Sequence, residues 1–311
     1  MVHVEKHFFT VPEKKGNGKS ILLEGQVFEP THPAGTIVFT EGVGKNRDLG
    51  YYQKGSLNYY GPFLERLAEV FTVITFNHRG RGLSEGILTP NGGLDLEGII
   101  ASPEVSSKGK KVALVGHSVG AAFSLQAAYS IPERVSSAYL INPYLGPEFH
   151  RIAGSIPSFA VPATIAALRL GTGAYFAFAT GLYKAFEAAF GPGQDGNAIL
   201  RKIKVRRRLA EASIVATWTS VPKGGYTVPV AFALADEDEF IGTLNNAERY
   251  GTLVSKVRRT VPAARDFSHI LAGFNHYLNS GLRNYGEFFA QVSDEKIIDS
   301  IVSFSKINMK A

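Results

Sequence analysis

The 311-residue chain contains no cysteine, which excludes disulfide staples, cysteine-ligated zinc, iron–sulfur clusters and a thiolate nucleophile. Covalent catalysis by this chain therefore has to use another group. Charged residues are also sparse, at 19% against 45% hydrophobic, a balance that excludes intrinsic disorder and fits a globular protein with a sizeable core. The 33 glycines and 15 prolines show no collagen-like period. Long apolar runs are missing too: one long uncharged stretch, residues 152–168, is broken by Gly154, Pro157 and Pro162, so no transmembrane helix is expected. The first residues, MVHVEKHFFTVPEKKG, lack the apolar core and small-residue cleavage site of a secretory signal, and a cytoplasmic protein is the expectation.

Strand-like runs dominate what is present. Val4–Thr10 and Ile21–Phe28 flank a Gly- and Asn-containing stretch and predict a hairpin. Short apolar runs then follow at Thr36–Thr40, Phe71–Phe76, Lys111–Val115, Val135–Ile141, Val228–Leu234 and Lys256–Val261. They alternate with helical patterns at Pro62–Val70, Ser118–Ile131, Leu244–Val254 and Tyr285–Lys306. Strands alternating with helices in this way predict an α/β fold, a mostly parallel sheet covered on both faces. The alternation stops from about residue 143 to 222, which reads as an insertion between two strands, so the expected core is 1–142 plus 223–311. Residues 144–223 hold ten Lys/Arg and four acidic residues, which accounts for the whole formal charge of +6.

Gly-x-Ser-x-Gly occurs twice, as Gly82-Leu-Ser84-Glu-Gly86 and as Gly116-His-Ser118-Val-Gly120. The bare pattern is short enough to arise by chance, so its surroundings decide. Gly116 follows the strand-like Lys-Val-Ala-Leu-Val, and Gly120 opens the helical Ala-Ala-Phe-Ser-Leu-Gln-Ala-Ala-Tyr. A strand, a sharp turn and a helix present a serine hydroxyl in a strained, exposed position and aim the helix N-terminus at a developing oxyanion. Ser84 lacks both neighbours, because Gly86 leads into Ile-Leu-Thr-Pro-Asn-Gly. Ser118 is thus the candidate nucleophile. The plain alternative for it is a helix-capping serine on a glycine-rich turn.

On these residues the chain resembles the α/β-hydrolase superfamily, specifically its capped lipase, esterase and serine-aminopeptidase-like branch, which includes monoacylglycerol-lipase-like proteins. Gly116–Gly120 looks like the family's nucleophile motif, Phe76-Asn-His-Arg-Gly-Arg-Gly-Leu-Ser84 is similar to its loop after the fourth strand, and Phe39-Thr-Glu-Gly-Val-Gly44 sits where its oxyanion loop follows the third. The chain departs from the family at Glu41, often His, and at Asn77, often Asp. The resemblance implies a Ser, acid, His order along the chain. The acid then falls in Ala235-Asp236-Glu-Asp238-Glu, where Asp238 matches the family spacing and Asp236 competes. The base falls in Asp266-Phe-Ser-His269-Ile, with His276 as the alternative. The backbone N–H groups of Val43 and Val119 would be the oxyanion donors.

The insertion, expected to be a mainly helical cap over residues 143–222, carries Phe159, Tyr175, Phe176 and Phe178. These are candidates to line an apolar pocket over Ser118, although core packing within the cap explains aromatic residues equally well. An apolar pocket implies a small hydrophobic ester as substrate. Arg201-Lys-Ile-Lys-Val-Arg-Arg-Arg208 reads as a solvated helix face, with contact to an anionic surface as the alternative. No nucleic-acid module accompanies it. The glycine-rich loop lacks the Gly-x-x-x-x-Gly-Lys-Ser/Thr pattern, no Gly-x-Gly-x-x-Gly follows the first strand, and no Cys/His cluster is present. No cofactor and no metal are expected. The sequence thus implies a serine esterase or lipase-like hydrolase; a peptide or amide hydrolase, or a non-hydrolytic ligand-binding or lyase member of the fold, are the competing classes.

Overall fold

A computed structural model describes residues 2–14, 16, 18–42, 57–86, 88–145, 219–235, 247–271 and 295–310. Its centre is an eight-stranded sheet in the order β1-β2-β4-β3-β5-β6-β7-β8. The strands are β1 (Val2–Pro12), β2 (Ser20–Pro30), β3 (Thr36–Thr40), β4 (Thr72–Phe76), β5 (Val112–His117), β6 (Val135–Ile141), β7 (Val230–Ala233) and β8 (Arg265–Asp266). β1 and β2 form the expected antiparallel hairpin, β2 pairs antiparallel with β4, and all further pairings are parallel. The described helices are α1 (Leu57–Ala68), α2 (Gly93–Ala101), α3 (Pro103–Ser106), α4 (Val119–Ser130), α5 (Ala247–Thr260) and α6 (Glu295–Met309).

Alternation along the strands divides the core in two. Ile37, Phe39, Val73, Val115, Tyr139, Ile141 and Ala231 face α1 and α6, whose buried stripe includes Phe63, Leu67, Ile297 and Ile301. Val38, Ile74, Leu114, Leu140 and Phe232 face the other way, onto α2, α4 and α5 through Leu96, Ile99, Phe123, Leu125, Val254 and Val257. Both faces of β3 to β7 are therefore buried, which is why their sequences read as short unbroken apolar runs.

One expected element is wrong. Lys256–Val261 is not a strand; residues 256–260 are the last turn and a half of α5. Val254, Val257 and Val261 are buried at three- and four-residue spacing while Arg258 and Arg259 are exposed, so the β-branched valines follow the helical period and tertiary burial overrides their strand preference. The strand that leads toward His269 is the two-residue β8. α2 and α3 fall where the sequence predicts no helix. The last helix is described from Glu295 onward, and residues 146–218, with nearly all of the expected cap, lie outside the described residues.

The loop after β4 anchors the hairpin to the sheet. Arg79 donates to Asp95 Oδ1 through Nε at 2.7 Å and to the carbonyl oxygens of Pro12 at 2.6 Å and Glu13 at 2.5 Å. Burial pushes the Asp95 carboxyl up from its ordinary pKa, and the Arg79 guanidinium opposes that shift. Glu24, fully buried, pairs with Lys6 at 2.5 Å and accepts from Asn77 Nδ2 at 2.9 Å and Leu83 N at 2.7 Å. The asparagine at 77 thus has a local reason: an amide can donate to the Glu24 carboxylate, whereas an aspartate there would set two carboxylates against each other.

The helical assignment of 256–260 predicts that Val257→Asp lowers stability by about 3 kcal/mol or more, while Arg259→Asp stays within about 0.5 kcal/mol. A strand would put residues 257 and 259 on one face and make the two substitutions alike. Urea unfolding of both variants distinguishes the cases.

Candidate active site

The sheet order places a reversal beside β3: the chain runs from β3 through α1 to β4 on one side, and then returns to β5 on the other. Loops leaving the carboxyl ends of β3 and β5 diverge at such a point and open a crevice. Glu41 and Gly42 follow β3, and Ser118 follows β5.

Ser118 has φ 54° and ψ −122°. It and Asn142, φ 42°, are the two non-glycine residues with positive φ among the described residues. The backbone of Ser118 is held on both sides, by its N–H donating to Ile141 O at 3.0 Å and by its carbonyl accepting from Ala121 N at 3.1 Å and Tyr144 N at 2.9 Å. Its side chain makes no capping hydrogen bond to α4 and is half-buried. The capping-serine explanation therefore has no hydrogen bond to support it. Val119 is the first residue of α4, so its N–H, which has no acceptor one turn back within the helix, lies next to Ser118.

Glycine at 120 is dictated by β3. A Cβ there would collide with the carbonyl oxygens of Thr40 and Glu41, so the turn and the loop after β3 pack backbone to backbone. Gly42 is equally close to the serine: a Cβ on it would lie 2.9 Å from Ser118 Cβ and 3.2 Å from His117 Nδ1. Two side chains not anticipated from the sequence hold this loop. His78 Nε2 is 2.8 Å from Glu41 O, and since a carbonyl only accepts, Nε2 carries the proton and donates. Burial drives the His78 pKa down to about 4, with the Glu41 hydrogen bond opposing the shift and the Arg81 charge adding to it. The hydroxyl of Tyr60 accepts from Gly42 N at 3.4 Å and lies 3.1 Å from His117 Nδ1, joining the loop to the residue before Ser118.

The second Gly-x-Ser-x-Gly is accounted for differently. Ser84 Oγ donates to Asn77 O at 2.8 Å and accepts from Glu24 N at 2.9 Å, so this buried serine pins its loop to β2. His269 is exposed in a 3-10 turn, Ser268–Leu271, that follows β8, at the same sheet edge as Ser118. Asp236, Asp238, His276, Val43, Phe159, Tyr175, Phe176, Phe178 and Arg201–Arg208 lie outside the described residues. Among the described residues no group of His, Asp and Glu could hold a metal ion, and no helix is long and apolar enough to cross a membrane.

A neutral, buried His78 makes folding pH-dependent. Its folded pKa of about 4 lies below the ordinary 6.5, so the unfolded chain takes up a proton first and stability falls as pH drops from about 6.5 toward 4, by on the order of 3 kcal/mol. His78→Gln, which keeps an N–H donor but does not titrate, should flatten that slope in urea unfolding at pH 7 and pH 4.5. Gly120→Val should cost more than about 3 kcal/mol at either pH, because the opposing atoms are backbone.

Known proteins resemble this chain in sequence and in fold. The family model of the alpha/beta hydrolase fold matches residues 35–262. A putative carbamate hydrolase RutD from Rhizobium rhizogenes is 29% identical over 116 residues, 36% of this chain and 39% of that protein. The RutD of Yersinia enterocolitica is 30% identical over 112 residues, 36% of this chain and 37% of that one. The chain thus matches about two-fifths of the length of these curated relatives. Among solved structures, the Pyrococcus furiosus esterase Pf2001 superimposes with a TM-score of 0.56 at 14% identity, covering 99% of this chain and 91% of that one. A putative aryl esterase from Burkholderia cenocepacia gives 0.55 at 15% identity, covering 99% and 100%. With a family match across most of its length, and the sheet order and serine turn described above, the chain belongs to the α/β-hydrolase fold family.

Proposed function

We propose that the chain is a serine hydrolase of carboxylic esters with a hydrophobic acyl group, acting through an acyl-Ser118 intermediate. The observation that carries this reading is the conformation of Ser118, at φ 54° between a buried strand and a helix N-terminus. A non-glycine residue at positive φ costs on the order of 1–3 kcal/mol, and in this place the strain presents a hydroxyl free of capping bonds beside the loop after β3.

In this reading His269 Nε2 takes the Ser118 proton as Oγ bonds to the acyl carbon. The proton then passes to the leaving alkoxide as the carbon–oxygen bond breaks. Water, activated by the same imidazole, attacks the acyl carbon and restores the serine. Asp238 orients the imidazole, and the N–H groups of Val119 and Val43 receive the oxyanion, each such donor contributing about 3 kcal/mol at the transition state. Phe159, Tyr175, Phe176 and Phe178 of the proposed cap, residues 143–222, supply an apolar acyl site, and Arg201–Arg208 an outer basic face. The names of the Pyrococcus and Burkholderia neighbours support ester cleavage. The RutD relatives, named as putative carbamate hydrolases, support a second reading in which the same serine cleaves a carbonyl–nitrogen bond, since one triad and oxyanion hole serve both leaving groups.

Ser118→Ala is expected to abolish p-nitrophenyl ester turnover and fluorophosphonate labelling while the protein stays folded. Ser84→Ala should keep both and lose about 1–3 kcal/mol of stability through its two buried hydrogen bonds. Retained activity in Ser118→Ala would overturn the assignment. Asp238→Asn and His269→Ala should each lower kcat by on the order of 10⁴; a larger loss in Asp236→Asn or His276→Ala transfers the role to that residue. Turnover should rise with acyl length before declining, and a profile best for acetyl esters, or faster cleavage of a matched carbamate, would contradict the hydrophobic-ester reading.

A further inference from the structure

β7 ends its ladder with Ala233 opposite Ile141 of β6, yet the chain stays buried for two more residues, Leu234 at 3% and Ala235 at 0% exposure. Their N–H groups have left the sheet and need acceptors, since a buried N–H without a partner is strongly unfavourable. Both are met by side chains. Ala235 N donates to Asn142 Oδ1 at 2.6 Å, and Leu234 N donates to Ser268 Oγ at 2.9 Å.

Those two acceptors come from the segments that carry the other parts of the proposed triad. Asn142 is fully buried, has φ 42°, and donates its own N–H to Ala233 O at 2.8 Å. It lies directly after Ile141 and two residues before Tyr144, the residues that hold the N–H and the carbonyl of Ser118. Ser268 immediately precedes His269. Its own N–H donates to Asp266 Oδ1 at 2.9 Å, and the neighbouring Phe267 N–H donates to Phe232 O at 2.8 Å. Asn142 and Ser268 therefore clamp the last two residues before Asp236 from opposite sides, one from the serine turn and one from the histidine turn.

We infer that Asn142 and Ser268 are positioning residues that register the acid-bearing segment, beginning at Asp236, against Ser118 and His269. The inference rests on the serine-hydrolase reading of this site. Neither side chain need touch substrate. Asn142 suits its place because asparagine tolerates the left-handed region better than other non-glycine residues and carries an acceptor oxygen. Loosening either bond lets the carboxylate drift from the imidazole, which lowers the fraction of histidine in the productive tautomer and stabilises the imidazolium less.

The test uses Asn142→Gly, which accepts the positive φ but has no acceptor, together with Ser268→Ala and Ser268→Thr in the full chain. Wild-type turnover of a p-nitrophenyl ester and fluorophosphonate labelling of Ser118 are measured first, and their absence refutes the hydrolase reading itself. With those present, Asn142→Gly and Ser268→Ala should lower kcat about 10- to 100-fold with KM nearly unchanged, and move the acidic limb of the kcat/KM profile down by about 0.5–1 pH unit. Ser268→Thr, which keeps the hydroxyl, should restore both. Should Asn142→Gly fail to fold, the Ser268 pair carries the same comparison. Wild-type kcat and an unmoved limb in a folded Ser268→Ala protein, or a fall in melting temperature without those changes, would overturn the proposal.

Discussion

The backbone of residue 118 is the constraint around which the described part of the molecule is arranged. An L-residue at φ 54° between β5 and α4 is stable only when its surroundings over-determine it. Here the surroundings do so with three backbone hydrogen bonds, two of them from the chain leaving β6. Close packing of Gly120 against the carbonyls after β3 fixes the other side of the turn. The strain at one residue is thus balanced by contacts from β3, α4 and β6, none of which could shift without releasing it.

The same logic extends outward along the carboxyl edge of the sheet. The loop after β3 is held by His78 through Glu41 O and by Tyr60 through Gly42 N–H, and His78 is kept neutral by burial so that it can serve as a donor of fixed direction. Beyond β6, Asn142 and Ser268 extend the hydrogen bonding past the last ladder pair of β7. Loops that a catalytic fold would use are therefore tied to the sheet by buried polar side chains, where satisfied partners give rigidity and a lost partner is costly.

The parts legible in the sequence are those with a local signature. Gly116–Gly120 is marked by the strand and helix patterns that flank it, and Ser84 lacks both. Strands β3 to β7 are visible as short apolar runs, since both of their faces are buried. Residues 256–261 carry two signals at once: Val257 and Val261 match a strand's preference for β-branched side chains, while their spacing from each other and from Val254 matches a helix. α2 was hidden by Gly93 and Gly98, weak helix formers that sit there because the helix packs closely on Gln126 and Val11. Asn142 and His78 were illegible in principle: their partners lie 93 and 37 residues away, and no local pattern encodes such a pairing.

The central claim, that Ser118 becomes covalently acylated during turnover, is tested most directly by trapping the intermediate. The wild-type protein is mixed with excess p-nitrophenyl ester, quenched in acid during steady turnover, and its peptides are mapped by mass spectrometry. The account predicts one acyl group per chain on the peptide containing Ser118, in an amount that matches the burst of p-nitrophenol. Rapid turnover with an unmodified Ser118 peptide, or an acyl group on another residue, would contradict it.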